Sequence, residues 1–434
     1  MRKIVYIFLL SVLFYVHEVY ATNEMSNIDE LITVNDKEVK KLNDNDYKTY
    51  LNIKKDDTIK ISSNDIIKNV YIIYYMKSET GILNYNNTNI NIGTNEFLHE
   101  LIELDSSTNE LTIKYNDEVN IKEIFIFNEE LPSWVQKWEP PLEDADLLLF
   151  SAHSDDEHLF FAGLLPTVLN QGKSAQVVYL TRHENNPIRF DEQLNGLWVL
   201  GMKNYPIVGF VKDAYSKSLE GALYNLEKDN YNLDDVVHFE VDMIRKFKPE
   251  VVVNHDEFGE YGHGQHILST YALKEALPYL ANKDYESKYP PFEPYKIYLH
   301  LYKKHPIKMN YDIPLEMYAG KTAFNMSMEA FREHKSQLHL IYSKWFNYKS
   351  AKEIEKYSPL DYGLYYSTVG YENEDNNMFY KVPLKKSENR EYTEEIIEDE
   401  PIKSISFKEA LIIIAFSSIF LIDLLAIMLK HHFG

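Results

Sequence analysis

Residues 146–159 read DLLLFSAHSDDEHL, an apolar run that ends in two histidines and three carboxylates. The run at 146–150 has the length and character of a strand buried on both faces. Comparable runs recur at 176–181, 206–211, 250–254 and 295–300, with helical patterns between them at 159–170, 190–200, 234–247 and 266–280. Strands alternating with helices predict an α/β fold built on a mostly parallel sheet with helices on both faces. In such sheets ligands bind beyond the carboxyl ends of the strands. His153 follows the first of these strands and His255 the fourth, so two motifs far apart in sequence are expected to meet at one crevice.

The second motif is NHDEFGEYGHGQHI at 254–267. The chain has no cysteine, so a metal must be held by His, Asp or Glu. A hydrolytic zinc ion takes three such ligands and leaves a position open. His153 and Asp156, three residues apart on a turn, and His266, at the start of a helix, supply that set. Asp155 is then free to act as base towards water activated at the ion. His263, one helical turn before His266, is placed to steady an oxyanion or to protonate a leaving amine. Glu157 is expected to cap the following helix or to orient a ligand. A lone HxDD or HxxH is weak, and only their joint position after strands of one sheet points to a metal site. Gly259, Gly262 and Gly264 suit a loop that approaches an ion or substrate closely. His158, His183, His238, His300 and His334 are assigned to surface or satisfied core positions.

Outside this region the texture changes. Residues 22–135 hold short β-branched runs at 57–62, 69–77, 111–116 and 121–128, which predict a β-sandwich. Prolines and tryptophans at 131–142 mark the junction with a catalytic domain at 136–385. Residues 1–21 resemble a cleaved signal peptide, 386–404 an acidic tether, and 405–430 a single transmembrane helix anchored in lipid, followed by a short tail at 431–434. These segments place the catalytic domain on the lumenal or extracytoplasmic side, in the secretory pathway or at the cell surface. The net charge of −22 over 434 residues excludes nucleic acid as a partner.

AHSDDE at 152–157 and GEYGHGQH at 259–266 resemble the two signatures of the PIG-L/LmbE-like zinc-dependent N-acetylglucosaminyl de-N-acetylases. RFDE at 189–192, FREHKSQ at 331–337 and YGLYYSTVG at 362–370 add to the likeness, which spans about residues 140–385. The resemblance implies a Rossmann-like deacetylase fold. It implies Zn2+, or another divalent cation, on His153, Asp156 and His266, with Asp155 as base and His263 stabilising the transition state. It also implies substrate contacts from Arg189 and Asp213. Ser154 stands where the family has proline, and Gln265 where it commonly has aspartate, so Gln265 is expected to tune a contact to the ligands. The activity implied is removal of the N-acetyl group from an N-acetylglucosamine-containing glycolipid or glycan, such as the N-acetylglucosaminyl-phosphatidylinositol precursor of GPI anchors. The alternatives are an extracytoplasmic deacetylase of another glycoconjugate, a tethered glycan-binding protein with an inactive domain, and a metal phosphoesterase.

Overall fold

The computed structural model describes residues 25–339 and 341–383. The leader at 1–21, the tether at 386–404, the apolar segment at 405–430 and the tail at 431–434 lie outside the described residues. Among the described residues no helix is long and apolar enough to cross a membrane.

Eight antiparallel strands come first: β1 (Leu31–Val34), β2 (Lys37–Glu38), β3 (Leu51–Ile53), β4 (Ile59–Tyr74), β5 (Gly81–Tyr85), β6 (Thr88–Ile92), β7 (His99–Tyr115) and β8 (Val119–Phe127). The long β4 and β7 pair with each other, and their register shifts between Ser62 and Ile67. Before that break β4 pairs with β1, and after it with β8. One interrupted antiparallel pair, β4 and β7, therefore joins strands that alternation alone predicts as two stacked sheets, and the whole forms a single hydrogen-bonded network. Ile59 and Ile61, Val70 and Ile72, Leu111 and Ile113, and Ile124 and Ile126 recur with period two and fill its core. The opposite face of β4 and β8 presents Tyr71, Ile73, Phe125 and Phe127 to Trp134 and Val135 of the junction.

The α/β part runs β9 (Leu147–Ser151), α1 (Leu164–Asn170), β10 (Ala175–Arg182), α2 (Ile188–Val199), β11 (Ile207–Lys212), α3 (Leu219–Lys228), α4 (Leu233–Phe247) and β12 (Val251–Asn254). It continues with α5 (Gly264–Leu280), β13 (Lys296–His300), β14 (Pro306–Lys308), α6 (Ala323–Phe331) and β15 (Asp361–Ser367). The sheet order is β11-β10-β9-β12-β13-β15-β14. From β11 to β13 every pair is parallel, whereas β15 and β14 add an antiparallel edge. Leu147, Leu149, Val177, Val251 and Val253 pack on one side of the sheet, and Leu148, Phe150, Val178, Val252 and Ile297 on the other. This alternation of two buried faces is why the strands read as unbroken apolar runs. The chain leaves β9 to one side through β10 and returns on its other side as β12. Their carboxyl ends are thus neighbours at the point where the strand order reverses.

Residues 159–170 were expected to be one helix, but α1 begins only at Leu164. Residues 155–162 instead follow tight turns closed by hydrogen bonds such as His158 N to Asp155 O and Ala162 N to Leu159 O. The short helices α3 and α6 and the strands β14 and β15 were not anticipated, because their apolar periods are too brief to stand out. A buried polar chain ties the antiparallel sheet to α2. Lys122 of β8 is ion-paired with Asp191 of α2. Asp191 Oδ1 is also 3.0 Å from His99 Nε2, and the Tyr71 hydroxyl is 2.9 Å from His99 Nδ1. The chain fixes α2, whose first turn carries Arg189.

Glu240 of α4 is fully buried and accepts a 3.3 Å hydrogen bond from Ser269 Oγ, with no partner for Oε2 among the described residues. Burial raises its carboxyl well above the ordinary 4.5. The folded chain therefore keeps this proton at pH values where the unfolded chain releases it, and stability falls as pH rises above about 4.5. Glu240→Gln is expected to remove this dependence. In urea unfolding it should gain more over the wild type at pH 8 than at pH 4.5.

Candidate metal centre

His153, Asp155 and Asp156 lie on the turn after β9, and His263 and His266 at the start of α5, which follows β12. The structure brings all five together, each buried. His153 Nδ1 is 3.1 Å from Asp156 Oδ2 and 3.2 Å from His266 Nε2, and His266 Nε2 is 3.3 Å from Asp156 Oδ2. Tetrahedral zinc with ligand bonds of ~2.0–2.1 Å separates its donor atoms by about 3.3 Å. The triangle therefore has the size a single such ion requires, and its donors, two imidazole nitrogens and one carboxylate oxygen, suit it.

Hydrogen bonds fix which ring nitrogens face this point. Gln265 donates through Nε2 to Lys212 O at 2.7 Å, so its Oε1 accepts from His153 Nε2 at 2.9 Å and leaves His153 Nδ1 with a lone pair. His266 donates from Nδ1 to Glu260 Oε2 at 2.6 Å, which leaves Nε2 free to ligate. Gln265, expected to tune a contact to the ligands, lies against His153 as a neutral acceptor.

Glu260 is one of the residues that sequence reasoning missed. Its fully buried carboxylate accepts from His266, from His255 Nδ1 at 2.9 Å and from His300 Nδ1 at 2.5 Å. Burial opposes its charge, yet these histidines hold Glu260 well below the usual carboxylate range. His255 Nε2 lies 3.6 Å from Asp156 Oδ2 but is occupied by the Ala152 N–H at 2.8 Å, so His255 supports the centre without a free lone pair. The only sequence signal was a glutamate between two histidines of one motif.

Burial also opposes charge on Asp156 and His266. His266 and His153 nevertheless push Asp156 well below its ordinary value, while Asp156 and Glu260 push His266 up to about 10. The pocket thus favours positive charge where the three donor atoms meet.

Asp155 has φ of +117°, a region that L side chains rarely adopt. Glu157 holds it there. Its Oε2 accepts from the Asp155 N–H at 2.9 Å, and its Oε1 accepts from the Tyr179 hydroxyl at 2.6 Å. Glu157 therefore does not cap the next helix as expected, since that helix starts at Leu164. Burial raises Asp155 to about 7, against the pull of Arg189, whose guanidinium lies 3.3 Å from its Oδ2. Arg189 also bonds the Ser154 carbonyl and Asp213 Oδ2, the latter at 3.0 Å. Asp213 Oδ2 is also 3.0 Å from His183 Nδ1, and His183 Nε2 is 2.8 Å from Ser154 Oγ. His183 accordingly belongs to the site rather than to the surface, whereas His238 is partly exposed.

His263 is the N-cap of α5 and accepts from Gln265 N at 3.2 Å through Nδ1, so it precedes the helix rather than sitting inside it. Burial, helped by His153 and His266, depresses it to about 2. It is therefore a neutral ring whose Nε2–H is available as a donor. Gly264 allows this start of α5 to approach the loop at 216–218, where a Cβ would lie 2.0 Å from Ser216 Oγ. Tyr215 and Tyr261 pack edge-on to His263, at 5.1 and 5.5 Å between ring centroids.

Residues 148–277 match the family model described as PIG-L: GlcNAc-PI de-N-acetylase. A 1D-myo-inositol 2-acetamido-2-deoxy-alpha-D-glucopyranoside deacetylase of Thermobispora bispora is 25% identical over 178 residues, 36% of this chain and 58% of that protein. The protein of the same name from Geodermatophilus obscurus is 26% identical over 161 residues, 32% of this chain and 55% of its own. The chain thus spans a little over half the length of these curated relatives. Among solved structures, the N,N'-diacetylchitobiose deacetylase of Pyrococcus horikoshii aligns with a TM-score of 0.36 at 17% identity, covering 52% of this chain and 84% of that one. The family model thus matches the stretch of the chain that holds both motifs and the strands that present them.

Proposed function

We propose that the chain is a metal-dependent hydrolase that removes the acetyl group from an N-acetylglucosamine unit of a glycan or glycolipid. The observation that carries this reading is the 3.1–3.3 Å triangle of His153 Nδ1, Asp156 Oδ2 and His266 Nε2 beside the carboxylate of Asp155. A divalent cation held by those three residues, with zinc the best fit, would supply Lewis acidity towards the acetamide carbonyl and acidify nearby water. Asp155, ionised above its pKa, takes the proton from the attacking water. Arg189 keeps that carboxylate oriented. The neutral His263 donates its Nε2–H to the oxyanion as it forms. Glu260 fixes the ring of His266, and Gln265 that of His153.

The substrate proposal rests on the family match and the names of the relatives. It is tested by acetate release from three compounds: N-acetylglucosaminyl-inositol, N-acetylglucosaminyl-phosphatidylinositol and N,N'-diacetylchitobiose. Release from any of them by the metal-loaded protein supports the reading, and preference for the phosphatidylinositol compound would support a role in GPI-anchor synthesis. Glycan binding with neither metal nor acetate release would overturn it in favour of a binding protein. A lumenal or extracytoplasmic catalytic side is part of the proposal, supported by the sequence at 1–21 and 405–430. Protease protection on intact membranes tests it, and a cytosol-facing domain would refute it.

Because Arg189 lowers Asp155, Arg189→Met should raise the carboxyl further and move the acidic limb of the pH–rate profile upwards by about one unit. An unmoved limb would show that Arg189 does not act on Asp155.

A further inference from the structure

A second cluster joins Glu157, which restrains Asp155, to two histidines to which the proposed chemistry gives no task. Glu157 and His158 of the turn after β9 meet His334, which follows α6, and all three are completely buried. Glu157 Oε1 is 3.2 Å from His158 Nε2 and 3.9 Å from His334 Nε2, and one donor atom from each residue lies within 4.8 Å of the others. The two rings are 5.2 Å apart between centroids. All four of their nitrogens lack a hydrogen-bond partner among the described residues. Buried imidazoles normally have both nitrogens satisfied, so a pair with neither satisfied points to something else that meets them.

The space is kept open by Gly196 of α2. A Cβ built there would stand 2.6 Å from His158 Nε2 and 3.0 Å from His334 Nε2, so any larger residue would crowd the nitrogens where they converge. The donor set repeats that of the first centre, two imidazoles and one carboxylate. The 3.2 Å separation of Glu157 and His158 matches the roughly 3.3 Å expected around tetrahedral zinc, and that of Glu157 and His334 is longer at 3.9 Å.

We propose that Glu157, His158 and His334 form a second, structural zinc site beneath the first. An ion there ties the motif turn to the segment 334–337, which is anchored on α2 where Ser336 N donates to Glu192 Oε1 at 2.6 Å. It also fixes Glu157, whose other oxygen restrains the backbone of Asp155. The site touches no reacting atom, so its effect on rate passes through the position of Asp155. The inference does not depend on the deacetylase reading.

The test is the zinc content of the full chain after equilibration with zinc and removal of weakly bound ions. Wild type is expected to carry two ions per chain. His266→Ala should lose one and keep the ion of the second site, whereas His334→Leu and Gly196→Ala should each lose that ion and keep the first. Anomalous scattering at the zinc edge on wild-type crystals should place a peak between the His158 and His334 rings, which decides the matter even if a variant fails to fold. A single ion per wild-type chain, a second ion that survives in His334→Leu, or a map with no peak between those rings would each overturn the proposal.

Discussion

Asp155→Asn is expected to lower the rate of acetate release by about 10²–10⁴-fold while leaving metal content unchanged. The asparagine has nearly the shape of the aspartate and keeps a contact for Arg189, but it cannot take a proton from water. Asp155 is not one of the three residues that converge on the triangle, so the loss should fall on kcat with KM little altered. The wild-type pH profile supplies a second check. Burial sets Asp155 at about 7, and a base acts only when ionised, so the rate rises with pH through the value of this group. A cation on the neighbouring residues pulls that value down, which places the acidic limb at or below about 7. Full activity in the asparagine variant, or a rate that falls as pH rises through this range, would remove Asp155 from the role of base.

The second large effect belongs to Glu260→Gln. The glutamate accepts from three histidines and from the backbone of Asp256, and neither oxygen is free of a donor. An amide in its place must point its own N–H groups at some of those donors, in a fully buried setting. His266 would lose the acceptor that fixes its tautomer or share a weaker one. The expected result is a metal affinity lower by about 10–100-fold, measured by competition with a chelator, together with a lower thermal midpoint. Unchanged affinity would show that the glutamate serves folding alone.

The parallel sheet was legible because its strands are buried on both faces and announce themselves as unbroken apolar runs. The helices after them were placed to within a few residues where their apolar periods are long, as in α4 and α5. The antiparallel part was legible as strands, but the register break between Ser62 and Ile67 was not, because it is a tertiary choice with no marker in the alternation. Of the site, sequence spacing nominated His153, Asp155, Asp156, His263 and His266, since charged and imidazole groups clustered after apolar strands stand out. Glu260, His183 and His255 did not stand out, because their importance comes from partners distant in sequence, such as His300 for Glu260 and Asp213 for His183.

By itself, then, the sequence nominated the residues of the candidate centre and the strand ends that carry them, because burial patterns and donor chemistry are local properties of the chain. Only the tertiary structure decided which nitrogen of each histidine faces the donor triangle, that Asp155 is held in a strained backbone by Glu157, and that His158 and His334 meet with no hydrogen-bond partner for their ring nitrogens among the described residues. Those features depend on hydrogen bonds and packing between elements far apart in sequence, where direction and distance, not residue type, set the outcome.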